Sequence, residues 1–225
     1  MSYKKITILG CGWVGEALKK RLILKGNEVN CLSRDIDKNI LLGLYTCDSC
    51  IIAIPPSDKY LEVIEDTLSL IDLYKTSNTQ IIFLSSISFY NKKNSIIEAE
   101  NLVKTKDNNT VILRLGGLMG YDRIAGKYTQ NKTIENKPTN YVHRDDVVGI
   151  IENIIKTNIK NKIFDVVAPV QSTRKQIFLQ NSQQFGFKKT YFSRSVNIKK
   201  VYSSDILCDA LDYKFKKDDV RNFWK

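Results

Sequence analysis

Three glycines in the pattern Gly10-x-Gly12-x-x-Gly15 follow directly on the apolar run Lys5–Leu9 and open a segment with Val14, Ala17, Leu18 and Leu22 at helical spacing. Strand, glycine loop and helix in that order make a cradle for a dinucleotide pyrophosphate. Gly10 permits the tight turn, Gly12 lets the backbone come close to the phosphates, and Gly15 allows helix and strand to touch. Trp13 and Val14 begin the helix, so the phosphates rest on amides at its positive end. The tip of the second strand, Glu28–Leu32, selects the nucleotide, and it continues Ser33-Arg34-Asp35. A hydroxyl and a guanidinium suit the 2′-phosphate of NADP, whereas an acid takes the ribose 2′-OH of NAD. The spacing favours NADP, with NAD as the alternative because Asp35 stands one residue late.

These groups need a scaffold, and the apolar pattern predicts one. Further strands at Cys50–Ile54, Gln80–Leu84, Val111–Leu115 and Ile163–Val167 alternate with helical stretches. Pro55-Pro56 ends one strand, and Ser57 is placed to cap a helix with the stripe Leu61, Ile64, Leu68 and Ile71. Ser95-Ile96-Ile97-Glu98 and Thr173-Arg174-Lys175-Gln176 are capping-box patterns, the first heading a helix to about Lys104 and the second one that ends at Gly186. Another helix runs from Asp146 through Lys156. The alternation predicts an α/β protein with a Rossmann-type doubly wound parallel sheet. Residues 1–120 form the expected dinucleotide-binding core and residues 121–225 a smaller, interleaved C-terminal substrate lobe, with the strand at 163–167 returning to the main sheet.

Composition narrows the class. At 225 residues and 43% hydrophobic, with 11 Gly and 4 Pro, the chain is neither disordered nor collagen-like. No apolar run approaches the roughly 18 residues of a membrane span, and Met1–Leu9 lacks a separate apolar region with a cleavage site, so a soluble cytoplasmic protein is expected. The net charge of +11 is uneven: residues 156–225 hold 15 basic and 6 acidic side chains, a net of +9, and residues 1–155 only +2. That end suits an anionic partner, with a small phosphorylated molecule favoured over nucleic acid because Phe185, Phe187, Tyr191 and Phe192 read as core. Five scattered cysteines, Cys11, Cys31, Cys47, Cys50 and Cys208, predict reduced thiols rather than a disulfide framework. Neither a metal site nor a membrane partner is expected, and the oligomeric state is left open between monomer and homodimer.

Beyond the loop, Ile81–Ser86 followed by Phe89-Tyr90, the helical Glu98–Val103, Leu113–Gly120 and Asn140–Val148 together give the chain a family likeness. It resembles the extended and atypical short-chain dehydrogenase/reductases, the NAD(P)-dependent nucleotide-sugar epimerase/dehydratase-like family, and within it a compact bacterial branch whose loop reads G-C-G-W-x-G. The resemblance implies that Ser86 hydrogen-bonds a substrate oxygen and that Ile54 and Pro55 lie by the adenosine ribose and nicotinamide. It implies that Ser85, Gly117 and Leu118 border the cofactor, that Arg123 is placed to meet a substrate phosphate, and that His143 and Asp146 are a structural pair.

One departure stands out. The family's proton relay, Tyr-x-x-x-Lys one helical turn apart, is missing: the helix from Ser95 to Lys104 has no tyrosine, and Tyr90 is followed four residues later by Asn94. Tyr128…Lys132 and Tyr213…Lys217 match the spacing but lie outside that helix. Two readings follow. One is an NADP-dependent oxidoreductase, epimerase or dehydratase acting on a small anionic or nucleotide-sugar substrate, with Tyr90 beside Ser86 as proton donor. The other is a non-catalytic NADP(H)-binding sensor or assembly protein.

Overall fold

In a computed structural model, which describes residues 3–33, 47–76, 78–106, 109–196 and 200–225, the chain runs through β1 (Lys5–Leu9), α1 (Trp13–Leu24), β2 (Glu28–Leu32), β3 (Ser49–Ile52), α2 (Tyr60–Tyr74), β4 (Gln80–Ser86), α3 (Asn94–Lys106) and β5 (Val111–Leu115). It continues through β6 (Gly117–Met119), β7 (Thr133–Asn136), β8 (Tyr141–His143), α4 (Arg144–Thr157), β9 (Lys162–Val166), α5 (Arg174–Phe185), β10 (Tyr191–Val196) and α6 (Asp205–Leu211). Six strands form one parallel sheet in the order β2-β1-β3-β4-β5-β9. The order reverses at β1, which pairs with β2 on one side and β3 on the other. Open α/β sheets bind ligands at the carboxyl ends of the strands at such a switch point.

The central strands read as unbroken apolar runs because helices cover both faces of a parallel sheet. All of β3 and β5, and β4 as far as Ser85, are buried. Tyr60, Ile64, Leu68 and Ile71 of α2 join Ile96, Ala99 and Val103 of α3 over Ile52, Ile81 and Phe83. Each such valine, leucine, isoleucine or phenylalanine side chain stabilises the fold by roughly 1.5–3 kcal/mol on burial. Elsewhere in the same unit α1 and α4 are tied by Arg21, whose Nε donates to Glu152 Oε2. Thr173 and Gln176 form both halves of the expected capping box, and α5 ends on Gly186 at φ 70°. Several boundaries shift, among them β3, which ends at Ile52, and α4, which starts at Arg144. Residues 57–59 make a turn closed by Tyr60 N on Ser57 O, so α2 starts at Tyr60 with Lys59 rather than Ser57 at its cap. Helix α3 starts at Asn94, just past the left-handed Lys92.

The chain divides into two compact units, residues 1–114 with 148–164 and residues 115–147 with 165–225. Among the described residues no helix is long and apolar enough to cross a membrane. In the second unit β6 pairs with β8 and β7 with β10. Asp146 anchors the chain near its end, accepting from Tyr213 Oη at 3.1 Å, Lys216 N at 2.7 Å and Lys217 N at 3.0 Å. His143 is buried between the rings of Tyr121 and Phe223, each 5.3 Å away. Its Nδ1 accepts from Asp145 N at 3.2 Å, so the ring is neutral with its proton on Nε2. His143 and Asp146 are therefore both structural, but they hold different segments and do not bond each other.

Burial pushes the His143 pKa below its ordinary 6.5, against the pull of Asp145 and Asp146 and with the push of Lys217 and Arg144. The unfolded chain consequently binds this proton more readily than the folded one. The stability contributed by the neutral ring is complete above the unfolded pKa of 6.5 and is lost as pH falls through the lower folded value. Thermal melts from about pH 7.5 down to about pH 5.5 should fall more steeply for the wild type than for His143→Gln. Parallel slopes would contradict the neutral-ring assignment.

Candidate functional site

The glycine loop is built by close approaches. Gly10 has φ 109°, and a Cβ there would stand 2.4 Å from Ala53 O, just past the end of β3. A Cβ on Gly15 would stand 2.2 Å from Gly10 O, which fixes α1 directly on the loop. Gly10 N and Cys11 N both donate to Leu32 O, at 2.9 and 3.2 Å, so the loop also leans on the tip of β2. Gly12 differs from its neighbours: it is exposed, it is the N-cap of α1, no side chain caps that helix end, and a Cβ would meet nothing within 4 Å. Open space over a bare backbone at a helix N-terminus is the shape a pyrophosphate needs. Trp13 is half-buried, Val14 is buried, and Ser33 lies exposed at the end of β2. Arg34 lies outside the described residues. Ile54 N would also crowd a Cβ on Gly10, and Pro55 follows it exposed.

The expectation of unpaired thiols is overturned at this loop. Cys11 and Cys31 are joined in a disulfide, with Cα atoms 5.5 Å apart. The cause is strand register: Ile8 faces Cys31 and Leu9 faces Leu32, so the residues just past β1 lie beside the tip of β2. Cys47, Cys50 and Cys208 are free, the first two buried. Glu16 comes within 4.8 Å of both disulfide sulfurs, but sulfurs bonded to each other offer no thiolate to a metal.

A second cluster forms where β4 ends, on the same carboxyl edge as the glycine loop. Glu100 of α3 is fully buried and accepts from Ser85 Oγ at 2.7 Å, Arg114 Nε at 3.0 Å and Arg114 Nη2 at 2.8 Å. The guanidinium lies 3.5 Å from the Phe89 ring centroid, and its Nη1 donates to Tyr90 Oη at 3.0 Å. Burial alone would lower the Arg114 pKa, but the bonds to Glu100 and Tyr90 more than offset it and hold it above the ordinary arginine value. Removing Glu100 would leave the Arg114 cation largely buried without its carboxylate, a loss of about 3–5 kcal/mol, whereas removing Arg114 leaves Glu100 with Lys104, 3.6 Å away on the same helix. Ser85 is thus turned into this network. Ser86 caps the 3₁₀ turn Ile87–Asn91, its Oγ accepting from Ser88 N at 3.1 Å, and Tyr90 is 41% exposed.

No functional role for Glu100 and Arg114 follows from the sequence pattern. The signal was present: Arg114 interrupts the apolar run VILRL, and Glu100 sits on the same helical stripe as Ile96 and Val103. A charge inside two buried patterns demands a partner. The remaining expected positions lie in the second unit. Gly117 and Leu118 are in β6, and a Cβ on Gly117 would stand 2.7 Å from the Tyr141 ring. Arg123 is exposed, its backbone paired with Gly120 in a bridge.

These contacts separate the two glycines by experiment. Gly15→Ala should destabilise the protein by about 1–3 kcal/mol or more, because its neighbour is backbone that cannot move aside. Gly12→Ala should melt like the wild type. Equal melting losses for the two variants would contradict the loop geometry.

No family model matches the chain. It is 23% identical to Protein YeeZ of Escherichia coli (strain K12), over 96% of this chain and 97% of that protein. Its structure is similar to that of a Methylobacillus flagellatus protein described as an NAD-dependent epimerase/dehydratase, with TM-score 0.81 and 20% identity over 99% of this chain and 96% of that one. It is similar to the human epimerase family protein SDR39U1 (isoform 2) with NADPH, with TM-score 0.76 and 13% identity over 99% and 97%. It is also similar to the Bordetella bronchiseptica enzyme WbmG in complex with NAD and UDP, with TM-score 0.73 and 12% identity over 99% and 93%. The chain has the Rossmann-type fold of the NAD-dependent epimerase/dehydratase-like and short-chain dehydrogenase/reductase-superfamily proteins.

Proposed function

We infer that the first unit binds a nicotinamide dinucleotide, NADP in preference to NAD, and that the protein is an oxidoreductase or epimerase/dehydratase-like enzyme acting on a small anionic, nucleotide-linked substrate. The observation that carries the catalytic reading is the Arg114 guanidinium 3.0 Å from the Tyr90 hydroxyl. Similar structures contain NADPH in one case and NAD with UDP in another, which supports both the cofactor and the substrate class.

In this reading Gly10, Gly12, Trp13, Val14 and Gly15 hold the pyrophosphate, and Ser33 with Arg34 takes the ribose phosphate. Ile54 and Pro55 flank the nucleoside. Hydride transfer is what a nicotinamide supplies when bound. The chain's own part is the proton. Ser86 Oγ receives its bond from Ser88 N, which leaves its hydroxyl hydrogen for a substrate oxygen. Tyr90 Oη accepts from Arg114 Nη1 on a side chain that is 41% exposed, and in this reading its phenol is the proton donor. A fixed cation on that oxygen stabilises the negative charge left by proton donation, the role that lysine plays in Tyr-x-x-x-Lys. Ser85 acts through Glu100, which holds the guanidinium in place.

The absence of tyrosine from α3 favours the second reading, a dinucleotide-binding sensor. Nicotinamide absorbance with NADPH or NADP and a panel of nucleotide sugars decides between them. The enzyme reading predicts turnover that falls about 10²–10⁴-fold in Tyr90→Phe with cofactor affinity unchanged, and cofactor binding lost in the folded Gly12→Ala. Full activity in Tyr90→Phe would overturn the relay. Tight binding with no turnover of any substrate would select the sensor.

A further inference from the structure

We propose that Cys11 and Cys31 are a reversible thiol–disulfide site that clasps the glycine loop to the tip of β2 and, when closed, raises the loop's affinity for a reduced dinucleotide. The affinity half rests on the dinucleotide reading above, while the thiol half stands on the two residues alone.

The backbone brings the pair together without help from the sulfurs. β1 and β2 are hydrogen-bonded neighbours, Gly10 N and Cys11 N both donate to Leu32 O, and the two Cα atoms are 5.5 Å apart, within the span a disulfide bridges. Both residues are partly exposed, so small thiols and disulfides reach them, whereas Cys47 and Cys50 are buried at the foot of β3. Glu16 Oε1 lies 3.0 Å from Cys11 Sγ, placed to accept a hydrogen bond from the thiol when the pair is open. The position also bears on function. Nothing stands within 4 Å of a Cβ built on Gly12, so the closed clasp leaves the space for the phosphates open. Its effect is to fix the residue between Gly10 and Gly12 before a ligand arrives, and prior ordering of a binding loop tightens binding.

Closure takes its oxidant from a low-molecular-weight disulfide. The thiolate of one cysteine attacks that disulfide, forming a mixed disulfide and releasing one small thiolate. The second cysteine attacks the first protein sulfur and releases the other. Two electrons pass from the cysteines to the small disulfide, their two protons end on the two released thiols, and a dithiol reverses both steps.

The test uses the full chain equilibrated with oxidised glutathione or with dithiothreitol, trapped by alkylation, mapped by peptide mass, and titrated with NADPH in each state. The expected result is a Cys11–Cys31 linked peptide that dithiothreitol returns to two alkylated cysteines. NADPH should bind about threefold to tenfold more tightly to the oxidised form. Cys31→Ser should bind like the reduced wild type and ignore the oxidant. Two alkylated cysteines after glutathione treatment would overturn the proposal, as would a linked form that binds NADPH no more tightly than the reduced one. If neither form binds NADPH, the dinucleotide reading and the affinity half fall together, and the peptide map alone decides the thiol site.

Discussion

A carboxylate and a guanidinium sealed together between α3 and β5 set the terms for the edge of the sheet where the first unit's candidate residues lie. Two buried charges are tolerated only when their hydrogen-bonding capacity is filled. Glu100 meets that demand with Ser85 and with the Nε and Nη2 of Arg114. The end of β4, the helix behind it and the neighbouring strand are thereby locked in one arrangement. Arg114 has one more direction to satisfy, and it turns to Tyr90 while Phe89 covers its face. The bonds that satisfy the buried pair thus put the Arg114 cation on a half-exposed phenol. The tyrosine–lysine pair is missing from α3, and in the proposed reading Ser86, Tyr90 and Arg114 stand in for it.

The glycine loop obeys a different constraint, that of room. Gly10 and Gly15 are small because backbone lies against them, and Gly12 is small with nothing against it. Two of the glycines shape the loop and the third keeps a space clear. The same compactness explains the disulfide. Where strands run parallel and the loop folds back on its neighbour, residues 20 positions apart become adjacent.

Much of this was legible in the amino-acid order. Fully covered strands read as continuous apolar runs, the loop carries its glycines at fixed offsets, and Thr173 with Gln176 announces a helix start that forms as expected. Less legible were features that depend on register or on three-dimensional partners. Spacing alone gave no sign that Cys11 and Cys31 would face each other, because only the pairing of β1 with β2 aligns them. Ser57 has the chemistry of a cap, but a turn intervenes and the helix begins at Tyr60. His143 and Asp146, close in sequence at a helix start, serve different segments: one fills a pocket of rings and the other holds Tyr213, Lys216 and Lys217. Arg114 and Glu100 announced themselves only as charges out of place in apolar patterns. The partner that gives Arg114 a chemical meaning, Tyr90, lies 24 residues away.

The most direct test of the whole account is a calorimetric titration of the purified protein with NADPH and, separately, with NADH. One dinucleotide per chain should bind saturably, NADPH more tightly than NADH. Failure of both to bind would contradict it, leaving the glycine loop as a packing device between β1, β3 and α1.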